Sequence, residues 1–224
     1  MKLYMHPGAC SLSPHIVCSE LGLPVELVMV DRTTHRTGSG ADFHAINGNG
    51  YVPALELEDG TVLTEGPAIV QYLADLRPDA TLVPKLGSIA RSRIQSWLNF
   101  ITSELHKPMV LLLQPRYAAA KGPLFELVEK RLSWLATQVA GPYLTGAHFT
   151  IADAYLFVVL NWSPWMDVDL GRWPALKEFM ARVGARPKVK QALAEEGLAP
   201  FDEGIFHAPP AMVEAARMAR TAAQ

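Results

Sequence analysis

Apolar segments of strand length alternate with helix-length patterns over the first 77 residues. The pattern predicts strands over residues 2–6, 25–31, 54–58 and 61–64 and helices over 13–22 and 66–76. Asp59-Gly60, between the last two strands, is a pair typical of a two-residue type I′ hairpin. The order βαβ, connector, ββα predicts an α/β domain with a small mixed sheet over residues 1–77.

Beyond a linker over 78–87, strand patterns stop and longer helical patterns take over. Helices are predicted over 88–107, 122–140, 150–160, 173–182 and 187–196. Pro108 and Pro115 are expected to bend or break the chain, and Thr150 with Asp153 resembles a capping box. These patterns predict an all-helical second domain over 88–200, followed by a tail, 201–224, of unknown role.

Composition and charge exclude several classes of function. The chain has 224 residues, of which 50% are hydrophobic, and a formal net charge of -2. It offers no basic field for nucleic acid or anionic membranes, and no run approaches the roughly 18 apolar residues of a membrane span. Cys10 and Cys18 are the only cysteines, which predicts neither a disulfide framework nor a zinc site and favours a reducing, cytoplasmic compartment.

Cys10 is the first candidate for chemistry. It follows the first strand and precedes the first helix, where unpaired N–H groups and the positive end of the helix dipole favour a thiolate. The alternative is that Cys10 is a small apolar filler. A mixed-sheet domain with this cysteine, followed by a helical domain, suggests a thioredoxin-like unit with an attached bundle.

Two motifs complete the picture in the first domain. Val52-Pro53 opens a strand, and a cis bond there would leave the Val52 backbone free to pair with an extended peptide, whereas a trans proline would be structural only. Glu65 and Gly66 stand where a strand meets a helix and could bind the ammonium and carboxylate of an α-amino acid. Glu65 could equally be only a helix-start acid.

These motifs, with Trp97-Leu-Asn99-Phe, Ser103-Glu-Leu-His106-Lys107 and Phe149-Thr-Ile-Ala-Asp153, resemble the glutathione S-transferases, and specifically the bacterial beta class. The resemblance spans residues 1–198. It implies the two-domain architecture of that family, a glutathione site in the first domain, an apolar acceptor site between the domains, and a homodimer.

The resemblance also implies roles for individual residues. Cys10 and His106 would be catalytic, and glutathione would contact Ala9, Cys10, His35, Val52, Pro53, Glu65, Gly66, Asn99, Ser103, His106 and Lys107. The acceptor pocket would be lined by Pro108, Met109, Leu112, Tyr117 and Trp165. Helical spacing independently places Asn99, Ser103, His106 and Lys107 on one stripe. His35 stands where the family often has a lysine, so its contact with glutathione is expected to be weak or pH-dependent.

Two functions of different classes follow. The first is an enzyme that transfers glutathione to small hydrophobic electrophiles, or exchanges it through a disulfide at Cys10. The second is a non-catalytic binding or scaffold module on the same fold. Retention of Cys10, Val52, Glu65 and His106 favours the enzyme.

Overall fold

The computed structural model describes residues 1–79, 81–139, 141–166 and 168–198. The predicted tail 201–224 lies outside these ranges. The predicted architecture, a thioredoxin-like α/β domain followed by a helical domain, is confirmed. None of the helices in the described ranges is both long and apolar enough to cross a membrane.

The first domain is a four-stranded mixed sheet with two helices. Its elements are β1 (Lys2–Met5), α1 (Leu12–Leu21), β2 (Glu26–Met29), β3 (Ala54–Glu56), β4 (Val62–Thr64) and α2 (Gly66–Asp75). The strand order is β2-β1-β3-β4, with β1 parallel to β2 and the other two pairs antiparallel. Gly22 ends α1 in the left-handed conformation, as its position after the helix requires.

The predicted type I′ hairpin is wrong. Such a turn needs positive φ at both central residues, but only Gly60 has it, and Asp59 does not. The Gly60 N–H donates to the Leu57 carbonyl at 3.1 Å, and the Leu57 N–H donates to the Thr61 carbonyl at 2.8 Å. The connection is therefore five residues long, and both strands are shorter than predicted.

The second domain is helical throughout its described part. Its helices are α3 (Ile89–Phe100), α4 (Lys107–Leu112), α5 (Lys121–Gln138), α6 (Ile151–Leu160), α7 (Pro174–Gly184) and α8 (Pro187–Glu195). All ten residues of α6 are buried, which makes it the central helix of the core. At the start of α6, Asp153 accepts hydrogen bonds from the Thr150 N–H at 2.8 Å and the Thr150 hydroxyl at 2.7 Å, close to the predicted capping arrangement.

Pro108 does not break the chain's path. A π-helical segment, Ile101–His106, joins α3 to α4, and Pro108 falls in the first turn of α4, where a missing N–H costs little. The Lys107 N–H donates to the Thr102 carbonyl five residues earlier. This wider turn changes which side chains follow one another along the helix face, and it lies at the functional cleft.

The two domains share one hydrophobic core. The helix α1 packs against α2 of its own domain and against α6 and α8 of the second. Arg186, just before α8, adds a two-point ion pair with Glu20 of α1, with nitrogen–oxygen distances of 2.7 and 2.8 Å. The junction is thus a packed interface, and a cleft between the domains keeps a defined shape.

Candidate active site

A cleft of about 460 Å³ lies between the two domains. The first domain contributes Cys10, Asn47, Asn49, Tyr51, Val52, Pro53, Glu65, Gly66 and Pro67. The second contributes Thr102, His106, Lys107, Val110, Leu111, Gln114, Arg116, Tyr117 and Tyr155. The sequence motifs, distant along the chain, therefore converge on one site.

Cys10 sits in the turn between β1 and α1. Ser11 fixes this turn, because its hydroxyl donates to the His6 carbonyl and accepts from the His6 N–H, each at 3.2 Å. The Ser13 hydroxyl donates to the Cys10 carbonyl at 2.9 Å. These hydrogen bonds hold Cys10 in the turn just before α1 begins at Leu12.

The predicted thiolate is wrong for this structure. Burial raises the pKa of the Cys10 thiol to about 12. The backbone N–H groups of Cys10 and Ser11 lower that pKa, as expected at a helix start, and so does the charge of Arg32, but burial outweighs them. A protonated thiol also fits its hydrogen bond, since Sγ donates to the Val52 carbonyl at 3.2 Å.

The Val52–Pro53 peptide bond is cis. It brings the Val52 carbonyl beside Cys10, as that hydrogen bond shows. Both residues line the cleft. The start of β3 therefore presents backbone to the site, which the sequence predicted on condition of a cis bond.

Glu65 has an uncommon backbone conformation for a residue with a side chain. Its φ is +69°, and it stands immediately before α2. Its side chain makes no capping hydrogen bond to the helix but lines the cleft with Gly66. The interpretation of Glu65 as only a helix-start acid is therefore disfavoured, because its side chain does not cap α2 and the residue lines the cleft.

His106 is joined to α6 and faces the same cleft. The Tyr155 hydroxyl lies 2.6 Å from Nδ1, and the indole of Trp162 packs edge-on against the imidazole with centroids 4.9 Å apart. Burial, with a contribution from the charge of Lys107, lowers the pKa of His106 to about 4. The imidazole is therefore neutral at pH 7.

The tautomer of His106 follows from its neighbours. Burial raises the pKa of Tyr155, so its hydroxyl keeps its proton. The Tyr155 hydroxyl lies 2.6 Å from Nδ1 of His106 but 3.4 Å from the Thr102 hydroxyl, which donates toward it, so the Tyr155 proton is assigned to the shorter contact with Nδ1. The neutral ring then carries its proton on Nε2 and can donate it in a hydrogen bond to an anionic sulfur.

The structure brings only two of the four residues of the predicted stripe to the cleft lining. His106 and Lys107 line the cleft, but Asn99 and Ser103 do not: both are exposed, and the Ser103 hydroxyl donates to the Asn99 carbonyl at 3.0 Å. Thr102 occupies the cleft face instead. The π-helical segment explains the difference, because its wider turn breaks the α-helical spacing on which the stripe was counted.

The structure brings one of the five predicted acceptor residues to the cleft lining. Tyr117 lines the cleft, whereas Pro108 and Met109 are buried, and Leu112 and Trp165 pack against the core. Beside Tyr117, this wall of the cleft is formed by the apolar side chains of Val110 and Leu111 and the polar side chains of Gln114 and Arg116. The π-helical segment turns α4 so that Val110 and Leu111 line the cleft, and Met109 and Leu112 do not.

Ala9 and His35 also lie outside the cleft lining. Ala9 donates its N–H to the His6 carbonyl at 3.0 Å within the turn. His35 has a φ of +53° and lies with Nδ1 3.2 Å from the Gly50 carbonyl, its ring 4.6 Å from that of His44. Contacts of these two residues with glutathione stay predictions.

Two family descriptions match the chain. "Glutathione S-transferase, N-terminal domain" matches residues 8–76, and "Glutathione S-transferase, C-terminal domain" matches residues 94–196. The chain belongs to the glutathione S-transferase family.

Relatives of this glutathione S-transferase support the bacterial beta class. Glutathione S-transferase GstA of Escherichia coli O157:H7 is 44% identical over 88% of this chain and 100% of its own. The structure described as a ternary complex of BphK, a bacterial GST, is 50% identical, with a TM-score of 0.87, over 88% of this chain and 100% of that one. The beta class enzyme of Sphingomonas chungbukensis is 41% identical, with a TM-score of 0.84, over 88% and 99%. The predicted resemblance is confirmed.

Several cleft residues of this glutathione S-transferase were missed by sequence reasoning. They are Asn47, Asn49, Tyr51, Pro67, Thr102, Val110, Leu111, Gln114, Arg116 and Tyr155. Tyr155 had a signal, since it carries the one hydroxyl among the side chains of α6, which are apolar apart from Asp153. Arg116 and Gln114 had none, because they follow a helix end whose position depended on the π-helical segment.

Proposed function

We propose that this glutathione transferase conjugates the thiol of glutathione to small apolar electrophiles and exchanges disulfides through Cys10. The observation that supports this most is the convergence of Cys10, Val52, Glu65 and His106 on one cleft between the domains. A non-catalytic module would not need a partly buried, hydrogen-bonded imidazole that lines the same cleft as a cysteine. The scaffold alternative is therefore not favoured.

Glutathione enters this proposal as co-substrate. Its cysteinyl backbone would pair with Val52, and its γ-glutamyl end would meet Glu65 and the N-terminus of α2 at Gly66. This places the thiol beside Cys10 and His106. Further contacts with Ala9, His35, Pro53, Asn99, Ser103 and Lys107 are proposed from the family resemblance.

The glutathione sulfur is the proposed nucleophile for conjugation. The raised pKa of Cys10 leaves little thiolate there at neutral pH. His106 would donate from Nε2 to the glutathione thiolate and so lower the pKa of that thiol. The sulfur then bonds to the electrophilic carbon, and the leaving group departs with its electron pair.

Disulfide exchange takes a different route through the same site. The Cys10 sulfur attacks a glutathionyl disulfide, that disulfide bond breaks, and the displaced thiolate leaves. Because attack needs the thiolate, exchange should accelerate with pH over the alkaline range. The two activities therefore differ in the sulfur that attacks.

The protein is further proposed to act in the cytoplasm as a homodimer. Both cysteines are free thiols, which suits a reducing compartment. Leu86 and Ile89, on either side of the α3 start, are each 72% exposed, and Leu76 at the end of α2 is 41% exposed. Exposed apolar residues on α2 and at the start of α3 suit a twofold interface in which each helix meets the other in the partner.

Cys10→Ala tests the assignment of the two sulfurs. Conjugation of 1-chloro-2,4-dinitrobenzene should fall by no more than about tenfold, because Val52, Glu65 and His106 still place the glutathione thiol, whereas disulfide exchange should be lost. Cys18→Ala, the same change in the core of α1, should preserve both activities. Initial rates of the two reactions, measured on the same preparations, give the comparison.

Two results would contradict the proposal. Disulfide exchange that survives in Cys10→Ala would mean that another sulfur attacks. A wild-type protein that is retained by immobilised glutathione but conjugates no electrophile would favour the scaffold alternative.

A further inference from the structure

The charged side chains that line the cleft divide between its two walls. Glu65 lies on the first-domain wall, where the γ-glutamyl end of glutathione is proposed to bind. Lys107 and Arg116 lie on the helical wall, and no carboxylate accompanies them in the lining. His106 adds no charge at neutral pH. The positive charges of the cleft lining therefore lie on its helical wall.

Arg116 reaches the cleft because the chain turns sharply after α4. The Gln114 N–H donates to the Leu111 carbonyl at 3.1 Å, and Pro115 then starts a short 3-10 turn. The Tyr117 N–H donates back to the Gln114 carbonyl at 3.0 Å. This turn brings three side chains of the segment, those of Gln114, Arg116 and Tyr117, to one wall.

The guanidinium of Arg116 is held on one side and open on the other. Its Nε donates to the Gln114 side-chain oxygen at 2.8 Å, and its Cζ lies 5.0 Å from the centre of the Tyr117 ring. Within the described residues, neither terminal nitrogen has a hydrogen-bond partner, and no carboxylate forms an ion pair with it. The N–H groups of the two terminal nitrogens are therefore available to a ligand.

Such a fork matches a carboxylate, which accepts two parallel hydrogen bonds from one guanidinium. Beside it, Val110, Leu111 and the Tyr117 ring offer an apolar surface for a flat hydrocarbon body. We propose that Arg116 selects acceptors that carry a carboxylate on an aromatic or apolar electrophile. This inference rests on the proposed function and names its substrate class.

The carboxylate at the glycine end of glutathione is another anion that could reach Arg116. The acceptor is favoured because Arg116 shares the helical wall with Val110, Leu111 and Tyr117, whereas Val52, Glu65 and Gly66 lie on the opposite wall. The two sources predict different kinetics. An acceptor contact changes the KM of the electrophile, and a glutathione contact changes the KM of glutathione with every electrophile.

The test compares 4-chloro-3-nitrobenzoate with the neutral 4-chloro-3-nitrobenzamide. In both reactions the glutathione sulfur bonds to the ring carbon, the carbon–chlorine bond breaks, chloride leaves with the bonding pair, and the thiol proton passes to solvent. Arg116→Gln should lower kcat/KM for the benzoate only about three- to tenfold, since Arg116 is exposed to solvent, and should lower that for the benzamide by much less. Arg116→Lys should retain part of the benzoate activity, because it keeps the charge without the fork.

Lys121→Gln is the matched control. It removes one positive charge from an exposed position five residues further on, outside the cleft. It should change kcat/KM for neither acceptor by more than about twofold. The benzoate preference of the wild type should also weaken with rising salt, because the pair is accessible to solvent.

Three outcomes would overturn the inference. The first is that Arg116→Gln lowers kcat/KM equally for the benzoate and the benzamide. The second is that Lys121→Gln lowers kcat/KM for the benzoate as much as Arg116→Gln does. The third is that Arg116→Gln raises the KM of glutathione and leaves the ratio of the two acceptors' kcat/KM values unchanged. Failure of the proposed function is a separate result, since it would abolish conjugation of the neutral benzamide by the wild-type protein as well.

Discussion

At the scale of single residues, burial decides the chemistry of the two central groups. It raises the pKa of Cys10 to about 12 and lowers that of His106 to about 4, so both are neutral near pH 7. A neutral imidazole with its proton on Nε2 can donate a hydrogen bond to a thiolate. With a pKa of about 4 it is too weak a base to take up a proton near pH 7. The reactive anion must then be supplied by glutathione.

This division of roles predicts the pH dependence of conjugation. At saturating glutathione and between pH 5 and 8, kcat/KM for the electrophile should rise with ionisation of the bound glutathione thiol and show no inflection from His106, which is already deprotonated above about pH 4. His106→Ala should raise the apparent pKa of that rise and lower kcat/KM at pH 6.5 by about ten- to a thousandfold. Stopped-flow or steady-state rates across this range measure both effects.

His148→Ala provides the control, because it makes the same substitution at an exposed histidine outside the cleft. Its profile should match that of the wild type. An inflection near pH 6.5 that disappears in His106→Ala would show instead that the imidazole titrates during the reaction.

Much of the site could be predicted from the sequence at this scale, but not its electrostatics. Cys10, Val52 and Glu65 stand at strand and helix ends, where local geometry brings them to the cleft. The pKa of Cys10 depends instead on side chains packed around it from several elements. Tyr155, which fixes the tautomer of His106, lies 49 residues from it in the chain. No local pattern reports such a contact.

At the scale of secondary-structure elements, the ends of α6 and α8 hold the turn that carries Cys10. The Gly8 N–H donates to a Glu196 carboxylate oxygen at 2.9 Å, and the Trp162 indole N–H donates to the Gly8 carbonyl at 2.9 Å. Behind them, both ring nitrogens of buried His15 face carboxylates: Nδ1 lies 3.0 Å from Glu196 and Nε2 2.7 Å from Glu195. The active-site turn is thus clamped by the second domain.

The clamp predicts a pH-dependent stability. Burial lowers the pKa of His15, but the hydrogen bonds and charges of Glu196 and Glu195 outweigh it, so the folded-state pKa is raised. Its contribution is therefore fully present below the unfolded value near 6.5 and is lost as pH rises through the folded pKa. His15→Gln should cost about 3 kcal/mol of unfolding free energy at pH 6, as expected for a buried pair that loses one partner, and less at high pH.

Urea unfolding at pH 6 and at pH 9 measures this difference. His44→Gln, at an exposed histidine, should leave the pH dependence intact. A loss in His15→Gln that is equal at both pH values would mean that His15 stabilises the turn by packing alone.

Element boundaries were predictable where a local signal exists. Gly22 marked the end of α1, and Ser88 marked the start of α3, where its hydroxyl accepts from the Arg91 N–H at 3.1 Å. The π-helical segment had no such signal, because Ile101–His106 keeps the apolar spacing of an α-helix. Its wider turn explains why Ser103 and Met109 do not line the cleft, as an unbroken α-helical spacing would have predicted.

At the scale of the whole molecule, the architecture followed from the change of pattern near residue 77. Short β segments before it and long helical patterns after it can be buried only as two differently built layers. What the sequence could not supply was the shape of the cleft between them, since that depends on how α1 meets α6 and α8. Assembly is the remaining property at this scale.

The described surface predicts how two copies would associate. Leu86 and Ile89 leave apolar area exposed at the start of α3, close to the end of α2. At micromolar concentration, sedimentation equilibrium should therefore give twice the chain mass of 24.5 kDa. Ile89→Asp should shift this mass toward the monomer, because a buried, unpaired carboxylate in a twofold interface is desolvated twice.

Met29→Asp changes an apolar residue of β2 that is also exposed and should leave the mass unchanged. A wild-type monomer under these conditions, or equal effects of the two substitutions, would contradict the predicted interface.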